Sequence, residues 1–444
     1  MANHTQVAVI GGGLVGKATA VAAANAGFST LHVAPDVPVD RRTSALMGPS
    51  VDYMIDAGLI DDPETLGTPL TRIRIIDATG RLLRAPETVF SASEFGHRAF
   101  GWNFANARLG ESFSQAAAGN ENLDRRAATL KSASRVDGVW HLELGDGGTL
   151  TAELLVGADG KGSSVRKAAG ISMRERKFDQ AALVCDLELE RGLDGESVEF
   201  HYPNGPFTLV PAGGNRANLV WIDRLETLED ARREPEHLIS LLNAKSGHLF
   251  GTISAASPSF VFPLSLLSVD VAGRDAAVLV GESAHAFPPI GAQGLNLGLR
   301  DVANLNACLK AANIWLGRCR GAQLWRGPAG RSDADRGFCW RLVYVPALAS
   351  FAGPGVAERG ALGTQDNPTA AKTGYIFWDG TIKKADRMVR LFRMKIRLRL
   401  IGPALLRREH FRPERPRRLP SPRGVGWHGP EGHFQARSRS NWPG

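Results

Sequence analysis

The chain has 444 residues, of which 43% are hydrophobic and 22% charged, with a formal net charge of +8, and that length buries a large core in one large or two interleaved domains. Cysteines at 185, 308, 319 and 339 lack metal spacing and disulfide density, and the histidines are scattered, so no metal is expected and a reducing cytoplasm suits the chain. The first apolar run begins by Val7, too early for a secretory signal, and the longest uncharged run, residues 246–269, holds two prolines and many serines, which makes it a poor membrane span.

Residues 7–10 predict a buried strand that runs into Gly11-x-Gly13-x-x-Gly16 and an alanine-rich helix over 14–26, stopped by Gly27. In a dinucleotide loop the first glycine allows the tight turn, the second lets backbone approach a pyrophosphate, and the third lets helix and strand pack closely. The next strand, 29–33, should then end in an acid that bonds a ribose hydroxyl. Ala34-Pro35 stands there, and the nearest acid is Asp36. Either Asp36 reaches back, or adenosine is held without that carboxylate. A crossover that binds no nucleotide fits the same residues.

Residues 72–76 and 81–83, joined by Asp-Ala-Thr-Gly, predict a hairpin, as do 139–144 and 149–156, joined by Gly-Asp-Gly-Gly. In Leu154-Leu-Val-Gly157-Ala-Asp159-Gly160 a buried strand ends in an acidic turn, and a helix starts near Ser163, a good N-cap. Taken singly, Asp159-Gly160 reads as a plain turn. Short runs at 184–189, 198–202, 207–210 and 218–222 are spaced like an antiparallel sheet open to one side. An amphipathic helix over 225–242 follows, and a strand at 260–262 returns the chain to a buried strand at 276–280.

That last strand leads into Gly281-Glu-Ser-Ala-His-Ala-Phe-Pro-Pro-Ile-Gly-Ala-Gln-Gly-Leu-Asn-Leu-Gly-Leu-Arg-Asp301. An acid follows the strand, a double proline stiffens the turn, and Gly291 and Gly294 precede a helix predicted over 297–310. Bare backbone N–H groups at a helix N-terminus favour an electron-rich or anionic partner, such as a flavin ring. A strand, turn and helix with ordinary turn glycines also fits. His285 reads as a structural histidine packing the turn.

After about residue 313 the pattern breaks down. Residues 314–444 hold 25 Lys and Arg against 9 Asp and Glu and six of the nine tryptophans, whereas 1–313 hold 28 against 36. Only 375–403 suggests a helix, a basic one. A disordered basic tail, a membrane-surface or nucleic-acid arm, and an out-of-frame translation beginning near 310–318 all fit this text.

The three strand-end motifs in this order resemble the FAD-dependent aromatic hydroxylases, the group A flavoprotein monooxygenases. Arg42-Thr-Ser-Ala45-Leu46 and the Asn-Leu-Gly-Leu-Arg-Asp ending point within them to the ubiquinone-biosynthesis hydroxylases of polyprenylated phenols, with further support from 205–211 and 213–221. The resemblance runs from about residue 6 to 312. It departs at Ala34 and at Glu282, where the family usually has Asp.

The resemblance implies an α/β (α+β) fold, a Rossmann-like FAD-binding domain (1–70, 96–170 and 266–313) interleaved with an antiparallel-sheet substrate domain (71–95 and 171–265). It implies FAD as cofactor, NAD(P)H as co-substrate, and oxygen reaching an electron-rich phenol ring through a flavin hydroperoxide. Cofactor contacts are then expected from Gly11, Gly13, Leu14, Val15 and Gly16, and from Asp159 and Gly160. Others are expected from Gly281, Glu282, Pro288, Gly291, Gly294, Leu295 and Asn296. Asp159 and Glu282 would bind ribitol or ribose hydroxyls, Arg42 the isoalloxazine side or pyrophosphate, and N–H groups around 294–296 the pyrimidine end of the ring. Pro288-Pro289-Ile290 would form an apolar lip. No acid–base residue is nominated. Expected partners are a prenylated phenol and molecular oxygen, with other ubiquinone-biosynthesis proteins and peripheral inner-membrane contact admitted and nucleic acid not. A flavin reductase of isoprenoid double bonds and a non-catalytic flavin-binding remnant remain as alternatives.

Overall fold

The computed structural model describes residues 4–322 except Val37, Leu83, Ala256 and Ile290, and no side chain is described at 255 or 313–322. The basic helix expected over 375–403 and most of the segment 314–444 lie outside the described residues.

The first sheet contains five parallel strands, in the order Ala277–Leu279, Thr149–Gly157, His4–Ile10, Thr30–Val33, Leu123–Arg126. Where both faces are covered the strands are continuous apolar runs, as at 7–10, 154–156 and 277–279, whereas the edge strand Leu123–Arg126 is mostly polar. One face carries the helix Leu14–Asn25 and the helix Gln293–Ala322, through Val7, Val9, Ala20, Val280, Leu305 and Leu309. The other meets the short helix Ser164–Ala168 and the antiparallel pair Leu130–Val136 and Val139–Leu144. The hairpin expected over 139–156 is present.

A second sheet of nine strands runs His285–Ala286, Phe260–Val269, Met173–Leu189, Arg216–Arg224, Gly205–Pro211, Glu196–Tyr202, Arg72–Asp77, Thr88–Ser91, with Ile253–Ala255 on the side of Met173–Leu189. Only Glu196–Tyr202 against Arg72–Asp77 is parallel. One face closes over Leu183, Leu187, Phe207, Leu209, Leu219 and Trp221 with the helices Leu225–Ala231 and Pro235–Lys245. The opposite face carries Ala182, Ile222 and Leu264, with Phe178 and Val220 packed beside them.

Several expected elements are redrawn. Arg72–Asp77 pairs with Thr88–Ser91 rather than 81–83, because Asp77 holds a longer turn, accepting from the N–H groups of Thr79 and Ala85 at 3.0 Å each. The helix expected over 225–242 is two helices, since Pro235 has no N–H to continue the first and opens the second. The helix expected over 297–310 runs from Gln293 to Ala322. A three-stranded sheet, Thr43–Met47, Gly101–Ala105 and Gly67–Leu70, was not foreseen.

Candidate active site

Three neighbouring strands of the parallel sheet end side by side, and each is followed by one of the three sequence motifs. The first carries the glycine loop. Gly11 has φ +131°, and a Cβ there would lie 2.2 Å from the Ala158 carbonyl oxygen of the second strand end, so only glycine fits. A Cβ on Gly16 would lie 2.0 Å from the Gly11 carbonyl oxygen, which fixes how closely helix and strand pack. A Cβ on Gly13 would meet nothing within 4 Å. Gly13 caps the helix Leu14–Asn25 without a side-chain bond, so bare N–H groups face open space there. Leu14 and Val15 pack inward, and Val15 bridges to the third strand end, where its side chain lies 3.1 Å from a Cβ placed on Gly281 and 2.7 Å from one on Gly298.

Beneath the loop the buried His32 ring bonds the Gly11 carbonyl through Nε2 at 2.8 Å. Burial lowers its pKa against the opposing pull of that carbonyl, and Arg125 and Lys17 act in the same direction as burial. Ala34 is buried. Asp36 is turned to Arg125, Oδ1 to Nη2 2.5 Å, with its side chain 79% exposed. Asp36, two residues beyond Ala34, is thus engaged by Arg125 in this structure.

At the second strand end, Asp159 Oδ2 accepts the N–H of Ser164 at 2.6 Å and of Val165 at 3.3 Å, adding to the cap that Ser163, as expected, provides through Oγ to the Arg166 N–H at 3.0 Å. Its Oδ1 is buried without a partner. Gly160 has φ +76° and open space beside it. Sequence reasoning missed Arg166, which is 3% exposed and donates to the carbonyls of Ser283 at 2.9 Å and Lys161 at 2.6 Å. A cation in the first turn of a helix, where the dipole opposes it, was the available signal.

At the third, Gly281 (φ +60°) donates its N–H to Asp301 Oδ2 at 3.0 Å, and the same oxygen lies 2.6 Å from His285 Nε2. His285 is held by the buried carboxylate of Asp301, on the helix that follows its loop. Glu282 is exposed on the turn Gly281–Ser283, Pro288 is half-buried and Pro289 exposed, and Ile290 lies outside the described residues. Gly291 has φ +63°, Gly294 has open space for a Cβ, and Leu295 packs inward. The Asn296 side chain is used by the protein itself. Its Oδ1 accepts from the Met47 N–H (2.9 Å) and Ser50 Oγ (2.7 Å), and its Nδ2 donates to the Ala45 carbonyl (2.9 Å) and back to Ala292 (2.5 Å). Asn296 thus pins the Arg42 segment to the helix, and its side-chain amide is already engaged.

Arg42, just before the strand Thr43–Met47, forks onto Asp40. Burial would raise the Asp40 pKa, yet hydrogen bonds from Arg42 and Asn106 outweigh it and hold the carboxyl at about 2. Asp40, and then the Glu282 carboxylate, raise the pKa of Arg42. A dinucleotide flavin fits this constellation. It has an uncapped helix N-terminus beside a glycine with open space, an orphaned buried carboxylate oxygen on Asp159, and open glycine positions at 160 and 294.

A family model described as an FAD binding domain matches residues 4–314. The chain is 33% identical over 322 residues to the ubiquinone hydroxylase UbiL of Rhodospirillum rubrum, covering 69% of this chain and 72% of that one. It is 29% identical over 318 residues to the 3-demethoxyubiquinol 3-hydroxylase of Escherichia coli, covering 67% and 78%. Among solved structures, PqsL of Pseudomonas aeruginosa, a probable FAD-dependent monooxygenase, superposes with a TM-score of 0.64 at 20% identity, over 78% of this chain and 92% of that one. The p-nitrophenol 4-monooxygenase PnpA of Pseudomonas putida gives 0.64 at 17%, over 91% and 100%. By the family match over residues 4–314 and these relatives, the chain belongs to the FAD-binding-domain family and is a flavoprotein monooxygenase of the ubiquinone-hydroxylase group.

Proposed function

We propose that this monooxygenase hydroxylates the aromatic ring of a polyprenylated phenol of ubiquinone biosynthesis, with NAD(P)H as reductant. The observation that carries the substrate class is the second face of the nine-stranded sheet, where a buried apolar cluster lies beside two exposed phenylalanines. Ala182, Ile222, Leu264, Phe178 and Val220 make it apolar, and Phe260 and Phe262 add a stacked pair, 55% and 49% exposed. The face is tied to the cofactor side through Asn103, whose Nδ2 donates to Asn218 Oδ1 at 2.7 Å and to the Pro211 carbonyl at 2.9 Å, and whose neighbour across the three-stranded sheet is Ala45, the acceptor for Asn296. An apolar wall beside the cofactor suits a lipid phenol and excludes water.

The chemistry that bound FAD supplies is electron transfer from NAD(P)H to dioxygen and delivery of one oxygen atom to an electron-rich ring. In this reading the protein supplies position and dryness. The loop at Gly11, Gly13 and Gly16 and the helix behind it bind the diphosphate. Asp159 through its orphaned Oδ1 and Glu282 bind ribityl or ribose hydroxyls, and Arg42 faces the diphosphate or ring. The N–H groups at Gly294, Leu295 and Asn296 stabilise charge at the pyrimidine end of the ring. Gly160, Gly281, Pro288 and Gly291 shape the walls. The division into a cofactor part (1–70, 96–170, 266–313) and a substrate part (71–95, 171–265) belongs to the same reading. So does contact with the membrane surface that holds such a substrate; no helix among the described residues is long and apolar enough to cross a membrane.

The family match ends at residue 314, where the basic, tryptophan-rich text begins, which supports a shift of reading frame near 310–318. Resequencing tests it, and a clean in-frame read through that region sinks the idea. The function is tested on the purified protein by adding a prenylated phenol with NAD(P)H. Oxygen uptake coupled to ring hydroxylation is expected, and reduction of an isoprenoid double bond without oxygen uptake favours the reductase alternative.

A further inference from the structure

Arg42 is held from two directions, by the half-buried Asp40 carboxylate and by the backbone N–H of Asn106. Its carbonyl accepts the N–H of Asn106 at 2.9 Å. Its guanidinium is forked on Asp40, Nε to Oδ1 at 2.9 Å and Nη2 to Oδ2 at 2.8 Å, and Asp40 Oδ1 also accepts the Arg42 N–H at 3.0 Å. Asp40 Oδ2 accepts from Asn106 Nδ2 at 2.9 Å, and Asn106 Oδ1 accepts from Ser44 Oγ at 2.7 Å. Asn106 is the first residue of the helix Asn106–Ala118 and is 6% exposed.

The exposure runs the other way along the chain of bonds. The Asp40 side chain is 35% exposed and that of Arg42 72%. An ion pair this exposed adds little to stability, yet a buried asparagine fixes its carboxylate and its arginine backbone together. The fork occupies Nε and Nη2 and leaves Nη1 outside it. The Glu282 carboxylate also contributes to the field at the guanidinium. A free arginine loses rotamer entropy when it captures an anion; one already forked has lost it beforehand.

We infer that Asp40 and Asn106 are positioning residues, which hold Arg42 so that Nη1 is presented to the anionic diphosphate of the cofactor. The inference rests on the placement of Arg42 toward FAD given above and is independent of which phenol is the substrate. Asp40 itself touches no cofactor atom in this account. Its effect passes entirely through Arg42.

The test is a double-mutant cycle on the rate at which FAD leaves the holoenzyme, followed by the rise in flavin fluorescence. Arg42→Ala should speed release about tenfold or more, the factor for one charged hydrogen bond. Asp40→Asn should speed it roughly three- to tenfold in the wild-type background and leave it unchanged in the Arg42→Ala background. Equal acceleration by Asp40→Asn in both backgrounds would show a structural role and overturn the inference, as would wild-type release from Asp40→Asn alone. Wild-type release from Arg42→Ala would instead remove Arg42 from the cofactor site.

Discussion

His285 Nε2 lies 2.6 Å from Asp301 Oδ2, and that oxygen also accepts the Gly281 N–H at 3.0 Å. Asp301 is 7% exposed and sits one helical stretch beyond the loop it holds. One buried carboxylate therefore fixes the turn at Gly281 and the ring of His285 together, and the histidine has a structural partner. Asp301→Ala leaves a buried N–H and a buried imidazole unpaired and should cost about 3 kcal/mol in denaturant unfolding. An Asp301→Ala protein as stable as wild type would contradict this.

The glycines of the first loop separate folding from cofactor binding. A side chain at Gly16 collides with the Gly11 carbonyl, whereas one at Gly13 meets only open space. Gly16→Ala should destabilise by about 3 kcal/mol. Gly13→Val should change stability by only about 1 kcal/mol and abolish FAD binding. A Gly13→Val protein that stays yellow with stoichiometric flavin removes that loop from the site.

Glu282 is exposed on its turn. If its carboxylate bonds a sugar hydroxyl, Glu282→Ala weakens FAD by roughly 1.5–3 kcal/mol, and Glu282→Asp binds at least as well as wild type. Equal flavin affinity in all three proteins would exclude the role.

His32 gives a pH signature. Its folded pKa is lowered below the ordinary 6.5, by burial first, so the unfolded chain binds the proton more readily. Its contribution to stability is full above 6.5 and is lost as pH falls from 6.5 through the depressed folded value. The stability difference between wild type and His32→Gln should be flat above pH 7 and move against the wild type below 6.5. A pH-independent difference refutes the assignment.

The strand-end glycines were legible because steric demands act over a few residues. Gly11, Gly16 and Gly281 are fixed by close approaches or a positive φ, and their spacing carries that information. Gly298, which lets the Gln293 helix cross Val15, was missed although it stands one turn after Gly294. Arg166, the Asn103–Asn218 link and the His285–Asp301 pair depend on partners tens to more than a hundred residues apart or on a loop closing over a helix. Apart from the unfavourable charge of Arg166 in the first turn of its helix, no local pattern encodes those. The pairing of Arg72–Asp77 with Thr88–Ser91 was missed for a related reason: an Asp-Ala-Thr-Gly turn signals a tight hairpin, and Asp77 instead ties a wider one.

The most direct test of the central claim is product analysis under isotopically heavy dioxygen, with holoenzyme, NAD(P)H and a prenylated phenol. One heavy oxygen atom on the aromatic ring, with one NAD(P)H oxidised per product, is the predicted result. A product that has gained two hydrogens and no oxygen, or the absence of any phenol-dependent product, would contradict it.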